Sequence, residues 1–229
     1  MLQLINKKKI YFYLVTLLFV TTFFNHNLIK ELKNTFKIKD IKIENTKKEI
    51  DDIISLNTSY LFDKNIFFIN KKFILEKLNK LNFIENIVIE KKYPSTIYIK
   101  NKVTNLIAIT YIDQKKYFLG LNGNFILAKN ISNEKKLPII FGKFNAEDYI
   151  LLQKELLNQK IDLNEITRYY FHKSKRWDLY FKDNIIIQLP NKNISNAIKL
   201  FNEFELKNKI APNTIIDLRI QNRLILRDE

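Results

Sequence analysis

The sequence predicts an α+β protein with an apolar N-terminal helix, a β-α-α-β-β unit and a larger β-rich domain that contains two helices. Three observations lead to this fold class. An uncharged, mostly apolar stretch covers residues 10–29. Residues 36–101 then change between the two-residue period of strands and the longer period of helices. From residue 102 onward, short alternating runs dominate, as in a mixed β-sheet.

The chain is basic, with a net charge of +15 over 229 residues, yet its composition does not favour a nucleic-acid partner. Only five of its 39 basic residues are arginine, and the lysines are spread along the whole chain, some of them singly between apolar residues. This distribution is typical of a solvated surface rather than of a selected basic patch. The absence of cysteine excludes disulfide bonds, thiolate metal sites and cysteine nucleophiles.

The N-terminal stretch predicts an uncleaved membrane anchor. Three lysines at 7–9 precede the uncharged residues 10–29, which match the length of about 20 residues that a spanning helix needs. The first alanine is Ala108, so no A-x-A-like cleavage site follows the stretch. The lysine cluster favours a cytoplasmic location for residues 1–9 and an external location for the domains that follow.

The unit over 36–101 is predicted as strand, helix, helix, strand, strand. Thr46 is expected to cap the first helix, with Glu49 in the capping-box position. Asn70 is expected to cap a second helix that extends to Leu81. The side chains of this second helix that are expected to point inward are Phe73, Ile74, Leu78 and Leu81.

The last two strands of this unit carry a motif. Residues 81–99 read L-N-F-I-E-N-I-V-I-E-K-K-Y-P-S-T-I-Y-I. This segment is similar to the pattern L-(P)-W-V-x-x-A-x-V-x-R-x-(W/Y)-P-x-T-(L/I)-x-I of the FtsQ family (DivIB in other bacteria). Phe83 stands in place of the usual Trp and Lys91 in place of the frequent Arg. The β-α-α-β-β layout resembles the POTRA domain of that family.

The second domain carries further motifs in the order of the same family. Residues 137–142 resemble L-P-x-(L/I)-x-G, and residues 177–189 resemble W-x-L-x-L-x-N-G-x-x-I-x-L-G, with Asn184 in place of the turn glycine. Residues 216–227 resemble the closing pattern (I/V)-D-L-R-Y-x-x-(D/N)-(R/G)-(V/I)-x-(V/I), with Ile220 in place of Tyr. Local signals add hairpins at Asn122-Gly123 and Asp183-Asn184 and helices over 146–159 and 193–207.

Residues 215–227 form the candidate binding edge. Two alternating runs flank Gln221-Asn222, which predicts a β-hairpin or a kinked strand whose free edge can accept a strand from another protein. The predicted partner-binding residues are Ile216, Leu218, Arg219, Ile220, Asn222, Arg223, Leu224, Ile225, Leu226 and Arg227. Two partners stay open for Arg219: an acidic residue of FtsB, which the resemblance implies, or Asp217 or a glutamate of the same chain.

The sequence contains no pattern of catalytic, cofactor-binding or metal-binding residues. Its two histidines, His26 and His172, lack metal-ligand spacing, and three glycines cannot form a phosphate-binding loop. Ser132 and Lys135 fit S-x-x-K, but the companion motifs of penicillin-binding enzymes do not follow. We therefore predict no enzymatic activity, no cofactor, no metal and no small-molecule substrate.

The resemblance implies a bitopic scaffold of the divisome in the bacterial inner membrane, at the division septum, with its C-terminal domains in the periplasm. It implies that FtsB and FtsL are partners, that other divisome proteins bind the POTRA domain, and that the chain links early and late division proteins to septal peptidoglycan synthesis. Two alternatives stay open: a POTRA-bearing outer-membrane translocation factor and a membrane-anchored cell-wall enzyme. The predicted boundaries are 1–9 for the tail, 10–29 for the transmembrane helix, 36–101 for the POTRA domain and 102–229 for the β domain.

Overall fold

A computed structural model describes residues 7–22, 31, 33–44, 48–131 and 135–228 of the chain, and five α-helices lie wholly within these ranges. They are α1 (Lys7–Thr22), α2 (Lys48–Thr58), α3 (Lys71–Leu78), α4 (Ala146–Asn158) and α5 (Ile194–Glu205). Asn70 caps α3 as expected, because its Oδ1 accepts a hydrogen bond from the backbone N of Lys72 at 2.9 Å. Asn145 precedes α4 without a side-chain capping bond. The predicted cap Thr46 lies outside the described residues.

Helix α1 contains the first part of the predicted anchor, and residues 23–29 of that anchor lie outside the described ranges. Its apolar side chains from Ile10 to Val20 are exposed. Within the described residues, none of the helices combines the length and the hydropathy that a membrane crossing requires.

The first unit has a three-stranded sheet in the order β1-β3-β2, with β1 (Asp40–Glu44), β2 (Ile84–Lys92) and β3 (Thr96–Val103). Strands β1 and β3 run parallel, which places Ile41 opposite Ile97. Helices α2 and α3 contact each other, and α2 contacts β1, so Ile50, Ile54 and Leu78 are buried. The observed order agrees with the predicted β-α-α-β-β layout.

For one residue of the second predicted helix, Phe73, the predicted inward orientation was wrong. Phe73 is 56% exposed, and its ring makes an edge contact with Tyr60 at 6.0 Å. Helix α3 has only eight residues and ends at Leu78, three residues earlier than predicted. So short a helix presents one narrow buried stripe, which Ile74 and Leu78 fill.

The second unit is built on a nine-stranded mixed sheet in the order β12-β11-β10-β9-β8-β7-β4-β5-β6, counted over the described residues. The strands are β4 (Leu106–Ile112), β5 (Lys115–Gly120), β6 (Phe125–Leu127), β7 (Ile139–Phe141), β8 (Ile166–Phe171), β9 (Trp177–Phe181), β10 (Ile186–Gln188), β11 (Thr214–Asp217) and β12 (Ile225–Asp228). Strand β8 begins only at Ile166, because residues 163–165 form a 3-10 turn.

The core of this sheet lies on the face that α4 and α5 cover. Paired residues of successive strands form one buried row across it: Ile140, Tyr169, Leu179, Ile187 and Ile216. Tyr149 and Leu152 of α4 and Phe201 of α5 belong to the same core. Trp177 is buried within it.

The chain divides into two compact units, Met1–Leu78 with Ile87–Lys100 and Asn79–Asn86 with Asn101–Glu229. The segment Asn79–Asn86, which ends within β2, thus belongs to the second unit. Its attachment is polar: the backbone N of Thr104 donates to the carbonyl O of Phe83 at 2.9 Å, and Asn122 Nδ2 donates to the carbonyl O of Asn82 at 3.1 Å.

Candidate partner-binding edge of the larger sheet

Strands β11 and β12 form the hairpin that the alternating pattern predicted. They pair antiparallel with Ile215 opposite Arg227 and Asp217 opposite Ile225. The connection is longer than the two-residue break Gln221-Asn222, because the ladder ends at Asp217 and resumes only at Ile225. Within the connection, Asn222 has a φ of 57°, a left-handed conformation that asparagine tolerates better than most residues.

The strand at the edge of the sheet is β12, not β11. Strand β11 is paired on both sides, parallel to β10 and antiparallel to β12. The part of the predicted binding edge that lies before Gln221 therefore offers no free strand, and that part of the prediction was wrong. Its side chains alternate as a strand pattern requires, but the long-range pairing with β10 is not visible in a local pattern.

The side chains of Ile216 and Leu218 were also predicted to contact a partner, and the structure contradicts this. Ile216 is 0% exposed and Leu218 is 1% exposed, because both belong to the core beneath α4 and α5. The backbone N of Leu218 donates to the carbonyl O of Gln188 at 2.9 Å, which extends the pairing with β10. These two residues hold the hairpin to the sheet instead of contacting a partner.

The remaining predicted residues lie on the surface of the hairpin or at its margin. Ile220 and Arg223 are exposed in the connection, and the backbone N of Arg223 donates to the carbonyl O of Ile220 at 3.1 Å. Leu224 is half-buried against the core. Ile225 is 39% exposed and Leu226 is 48% exposed, although both belong to β12.

Leu226 lies on the face of the sheet that α4 and α5 cover, but at the edge where their cover is incomplete. It pairs with Ile216, so both side chains point to the same face of the sheet. Ile216 is fully buried there, whereas about half of Leu226 remains in contact with solvent. An apolar surface therefore continues from the core to the free edge, where a partner could extend both the sheet and the layer above it.

Two arginines neutralise Asp217 on the opposite face of the hairpin. Arg219 binds it in a bidentate manner, with Nε 2.8 Å from Oδ1 and Nη2 2.5 Å from Oδ2. Arg227 Nη2 lies 2.5 Å from the same Oδ2, which connects β12 to β11. Of the two alternatives for Arg219, the structure contains the intramolecular one.

The charges around Asp217 shift its titration. The hydrogen bonds and positive charge of Arg219, with a smaller contribution from Arg227, hold the pKa of the Asp217 carboxyl below its ordinary value. The same pairing with Asp217 raises the pKa of the Arg219 guanidinium. Asp217 is nearly buried, with a side chain that is 6% exposed, so its charge depends on these two partners.

A polar row continues from Asp217 along this face, and the sequence analysis missed it. Gln188 is paired with both Asp217 and Asp178, so the three side chains lie side by side. Asp178 accepts from Arg176 Nη1 at 3.0 Å and lies 2.7 Å from His172 Nε2. A signal for this row was present in the sequence. In β9, β10 and β11, a polar residue directly follows an apolar residue that is buried, so the polar side chains all point to the opposite face of the sheet. His172 is half-buried and is paired with Asp178.

The opposite edge of the sheet is less open. Strand β6 has only three residues, and Asn82 Nδ2 donates to the carbonyl O of Phe125 at 3.3 Å. A very short and partly occupied edge offers few groups to an incoming strand.

The described residues contain no group of three or more histidine, aspartate or glutamate side chains that could hold a metal ion.

Two family models match the chain in the order of its two units. "POTRA domain, FtsQ-type" matches residues 36–100, and "Cell division protein FtsQ/DivIB, C-terminal" matches residues 108–219. The second match ends at Arg219, so β12 lies beyond it.

Relatives with the same description are distant in sequence. The cell division protein FtsQ of Rickettsia bellii is 28% identical over 191 residues, which cover 82% of this chain and 71% of the relative. FtsQ of Agrobacterium fabrum is 21% identical over 198 residues, which cover 84% of this chain and 61% of the relative. A solved extracytoplasmic domain of DivIB from Geobacillus stearothermophilus aligns with 47% of this chain and 99% of that domain, at 13% identity and a TM-score of 0.31. With both domain models matched in order, the chain belongs to the FtsQ/DivIB family of cell division proteins.

Proposed function

We propose that this chain is a non-enzymatic, single-pass scaffold of the divisome that binds FtsB and FtsL and links early and late division proteins to septal peptidoglycan synthesis. Its membership of the FtsQ/DivIB family supports a role in cell division. The observation that carries the finer proposal is the open edge at β12, with its exposed Ile225 and Leu226. Other divisome proteins would bind the POTRA domain.

Strand addition is the proposed mode of FtsB binding. An incoming strand would pair with the free N–H and C=O groups of β12 and would lengthen the nine-stranded sheet by one strand. Its side chains would meet Leu226 on the helical face and Ile225 on the polar face, because neighbours in a strand alternate. Specificity would come from these side chains, since backbone pairing alone does not distinguish sequences.

The arginines of the hairpin have separate roles in this proposal. Arg219 and Arg227 are engaged by Asp217, so they would stabilise the edge rather than recognise an acidic residue of FtsB. Arg223 is exposed in the connection and is the better candidate for a charged contact with the partner. A bidentate guanidinium would suit a carboxylate at that position.

Membrane attachment is the second part of the proposal. We propose that residues 10–29 cross the inner membrane once, with residues 1–9 in the cytoplasm and both folded units in the periplasm at the division septum. The uncharged stretch and the lysines at 7–9 support this topology.

Binding to FtsB tests the edge directly. Leu226→Asp would place a charge on the apolar side of the edge, and we expect at least about a tenfold weaker affinity for FtsB in titration calorimetry. The matched control is Leu206→Asp, since Leu206 is 87% exposed in the same unit and lies outside the β11–β12 hairpin. Equal affinities of the two variants, both folded, would contradict the proposed edge.

A double variant tests whether Arg219 stabilises the hairpin or contacts FtsB directly. Arg219→Glu with Ile220→Pro removes one partner of Asp217 and adds a rigid residue to the connection. We expect its FtsB affinity to fall together with its free energy of unfolding, because Arg219 acts through the hairpin. A loss of affinity at unchanged stability would instead assign Arg219 to direct contact with FtsB.

Depletion in cells tests the function as a whole. We expect long filaments without constricted septa. Normal septation with outer-membrane defects would favour the translocation factor, and wall-cleaving or wall-synthesising activity of the purified chain would favour the cell-wall enzyme; either result would contradict the scaffold.

A further inference from the structure

The first unit exposes three aromatic side chains that form a surface of their own. Phe67 is 52% exposed, Phe68 is 87% exposed and Tyr93 is 57% exposed. The rings of Phe67 and Tyr93 are stacked with their centroids 5.0 Å apart, and the centroid of the Phe36 ring lies 4.8 Å from that of Phe67. We call Phe67, Phe68 and Tyr93 the aromatic patch. Soluble domains rarely leave several neighbouring aromatic side chains this exposed to water unless the surface binds something.

The backbone holds the patch in place. Residues Ile66–Phe68 form a 3-10 turn in which Ile66 is fully buried while the two phenylalanines point outward. The backbone N of Phe67 donates to Asn65 Oδ1 at 2.9 Å, and the backbone N of Ile66 donates to the carbonyl O of Phe36 at 2.9 Å. The rings are therefore presented by an ordered turn and would lose little conformational freedom on binding.

One lysine contacts the patch, and further lysines adjoin it along the chain. Lys91 Nζ donates to the carbonyl O of Phe67 at 3.3 Å, so one ammonium group lies at the rim. Lys37 is bridged to Asn65, the residue that caps the turn. Of the neighbouring acids, Glu90 is engaged by Lys92 at 3.2 Å. The lysines that adjoin the patch along the chain are Lys37, Lys64, Lys91 and Lys92.

We propose that the aromatic patch docks onto the headgroup region of an anionic lipid bilayer. Aromatic rings favour the interface between headgroups and acyl chains, and lysines on the same surface attract anionic headgroups while their stems stay apolar. The inference rests on the proposed membrane anchor, which would keep the first unit near the bilayer. Residues 23–35 separate Thr22 from Phe36, and even a fully extended tether of that length reaches only about 50 Å.

A lipid surface fits these observations better than a protein partner does. The patch combines three exposed rings with the ammonium group of Lys91 at its rim, and the tether holds it close to one particular surface at high effective concentration. Docking would fix the orientation of the first unit against the membrane and leave its other faces for protein partners.

Tryptophan fluorescence in vesicles tests the docking. The full chain with Phe68→Trp would be reconstituted into phosphatidylcholine vesicles with or without phosphatidylglycerol, with lipids brominated near the headgroup as quenchers. The parent chain supplies the background, because its one tryptophan, Trp177, is buried. We expect the substituted side chain to emit at shorter wavelength and to be quenched with phosphatidylglycerol present, with less quenching at high salt or without the anionic lipid.

The control is Leu56→Trp, since Leu56 is 75% exposed on α2 of the same unit and makes none of the ring contacts of the patch. Equal quenching at both positions would overturn a docking surface at the patch. No quenching at position 68 with either lipid would overturn it as well, and a cross-link from that position to a protein in cells would then assign the patch to a protein partner. Flotation of the vesicles after an alkaline wash separates the two proposals: a chain that does not float refutes the anchor, and a chain that floats without quenching refutes only the docking.

Discussion

Asp217 shows how a single residue supports the candidate site. Its carboxylate is nearly buried and accepts from Arg219 of the connection and Arg227 of β12. It also accepts from the backbone N of Arg219 at 3.0 Å, which fixes the first turn of the connection. One side chain thus joins β11, the connection and β12, and its removal would leave Arg219 without its carboxylate and Arg227 with Gln188 Oε1 as its remaining acceptor.

Asp217→Asn is expected to lower the free energy of unfolding by about 1–3 kcal/mol at neutral pH, because charge-assisted hydrogen bonds are lost. The pKa of Asp217 is lowered in the folded state, so its contribution is present above the ordinary carboxyl pKa of about 3.9 and disappears as the pH falls through the lower folded value. The difference between parent and variant should therefore shrink below about pH 4. Urea titrations followed by Trp177 fluorescence measure it. Glu203→Gln, at an exposed position of α5, is the control, and a difference that persists in acid would contradict the assignment.

Two glycines have similar left-handed backbone conformations, but a side chain would overlap a neighbouring atom at only one of them. The pair therefore separates the cost of the backbone conformation from the cost of the overlap. Gly142 has a φ of 97° and Gly123 has a φ of 80°. A Cβ at Gly142 would overlap the carbonyl O of Phe171, whereas the nearest atom to a Cβ at Gly123 is the Cβ of Ala146 at 4.0 Å. The glycine at the end of the L-P-x-(L/I)-x-G motif is thus required by the close approach of β7 and β8.

We expect Gly123→Ala to cost about 1 kcal/mol, from the left-handed backbone alone. Gly142→Ala should cost about 3 kcal/mol or more, since the overlap with the Phe171 carbonyl adds to the same backbone cost. Thermal unfolding of the two variants compares them under identical conditions. Similar losses in both would mean that the β7–β8 strands separate easily at this point.

At the scale of the element, the turn between β9 and β10 tests a family motif. Asp183 and Asn184 have φ values of 57° and 58°, as the prediction of a turn at these residues requires. Asn184 Nδ2 donates to Asn213 Oδ1 at 3.0 Å, and the backbone N of Asn213 donates to the carbonyl O of Asp183 at 3.0 Å. The asparagine therefore replaces the family glycine and adds a hydrogen bond to the turn before β11.

Asn184→Val is expected to lower the free energy of unfolding by about 2 kcal/mol, because a β-branched residue resists positive φ and cannot donate to Asn213. Asn184→Gly should stay within about 1 kcal/mol of the parent, since glycine relieves the strain while the hydrogen bond is lost. Chemical denaturation of the two variants provides the measurement. A larger loss in the glycine variant would show that the bond to Asn213 outweighs the backbone preference.

The elements were predictable where their signals are local. The hairpin at Asp183-Asn184, the cap at Asn70 and helices α4 and α5 follow from turn residues, capping and periodicity. The order of strands was not predictable in this way, because β11 pairs with β10 across α5, and this parallel pairing decides that β12 is the edge. The strand order also determines that Ile216 and Leu218 are buried and that Asp217 is paired. The local pattern therefore predicted the hairpin, but it did not predict which of its two strands is free.

At the scale of the whole molecule, the net charge of +15 opposes folding by self-repulsion. The ion pairs of the described residues are mostly at exposed side chains, where each contributes little and is readily screened. Repulsion among the lysines should therefore be the larger salt-dependent effect. A chain of this composition is expected to gain stability as ionic strength rises.

We expect the urea midpoint to increase between about 20 mM and about 200 mM NaCl, where the Debye length falls from about 20 Å to about 7 Å. A variant with four exposed lysines changed to glutamine, at Lys115, Lys154, Lys199 and Lys207, should be more stable at low salt and should depend less on salt. Trp177 reports the transition of the second unit, to which all four lysines belong. A midpoint that falls with salt would mean that attractive pairs such as Asp217 with Arg219 outweigh the repulsion, and the binding edge would then be the part of the molecule most sensitive to ionic strength.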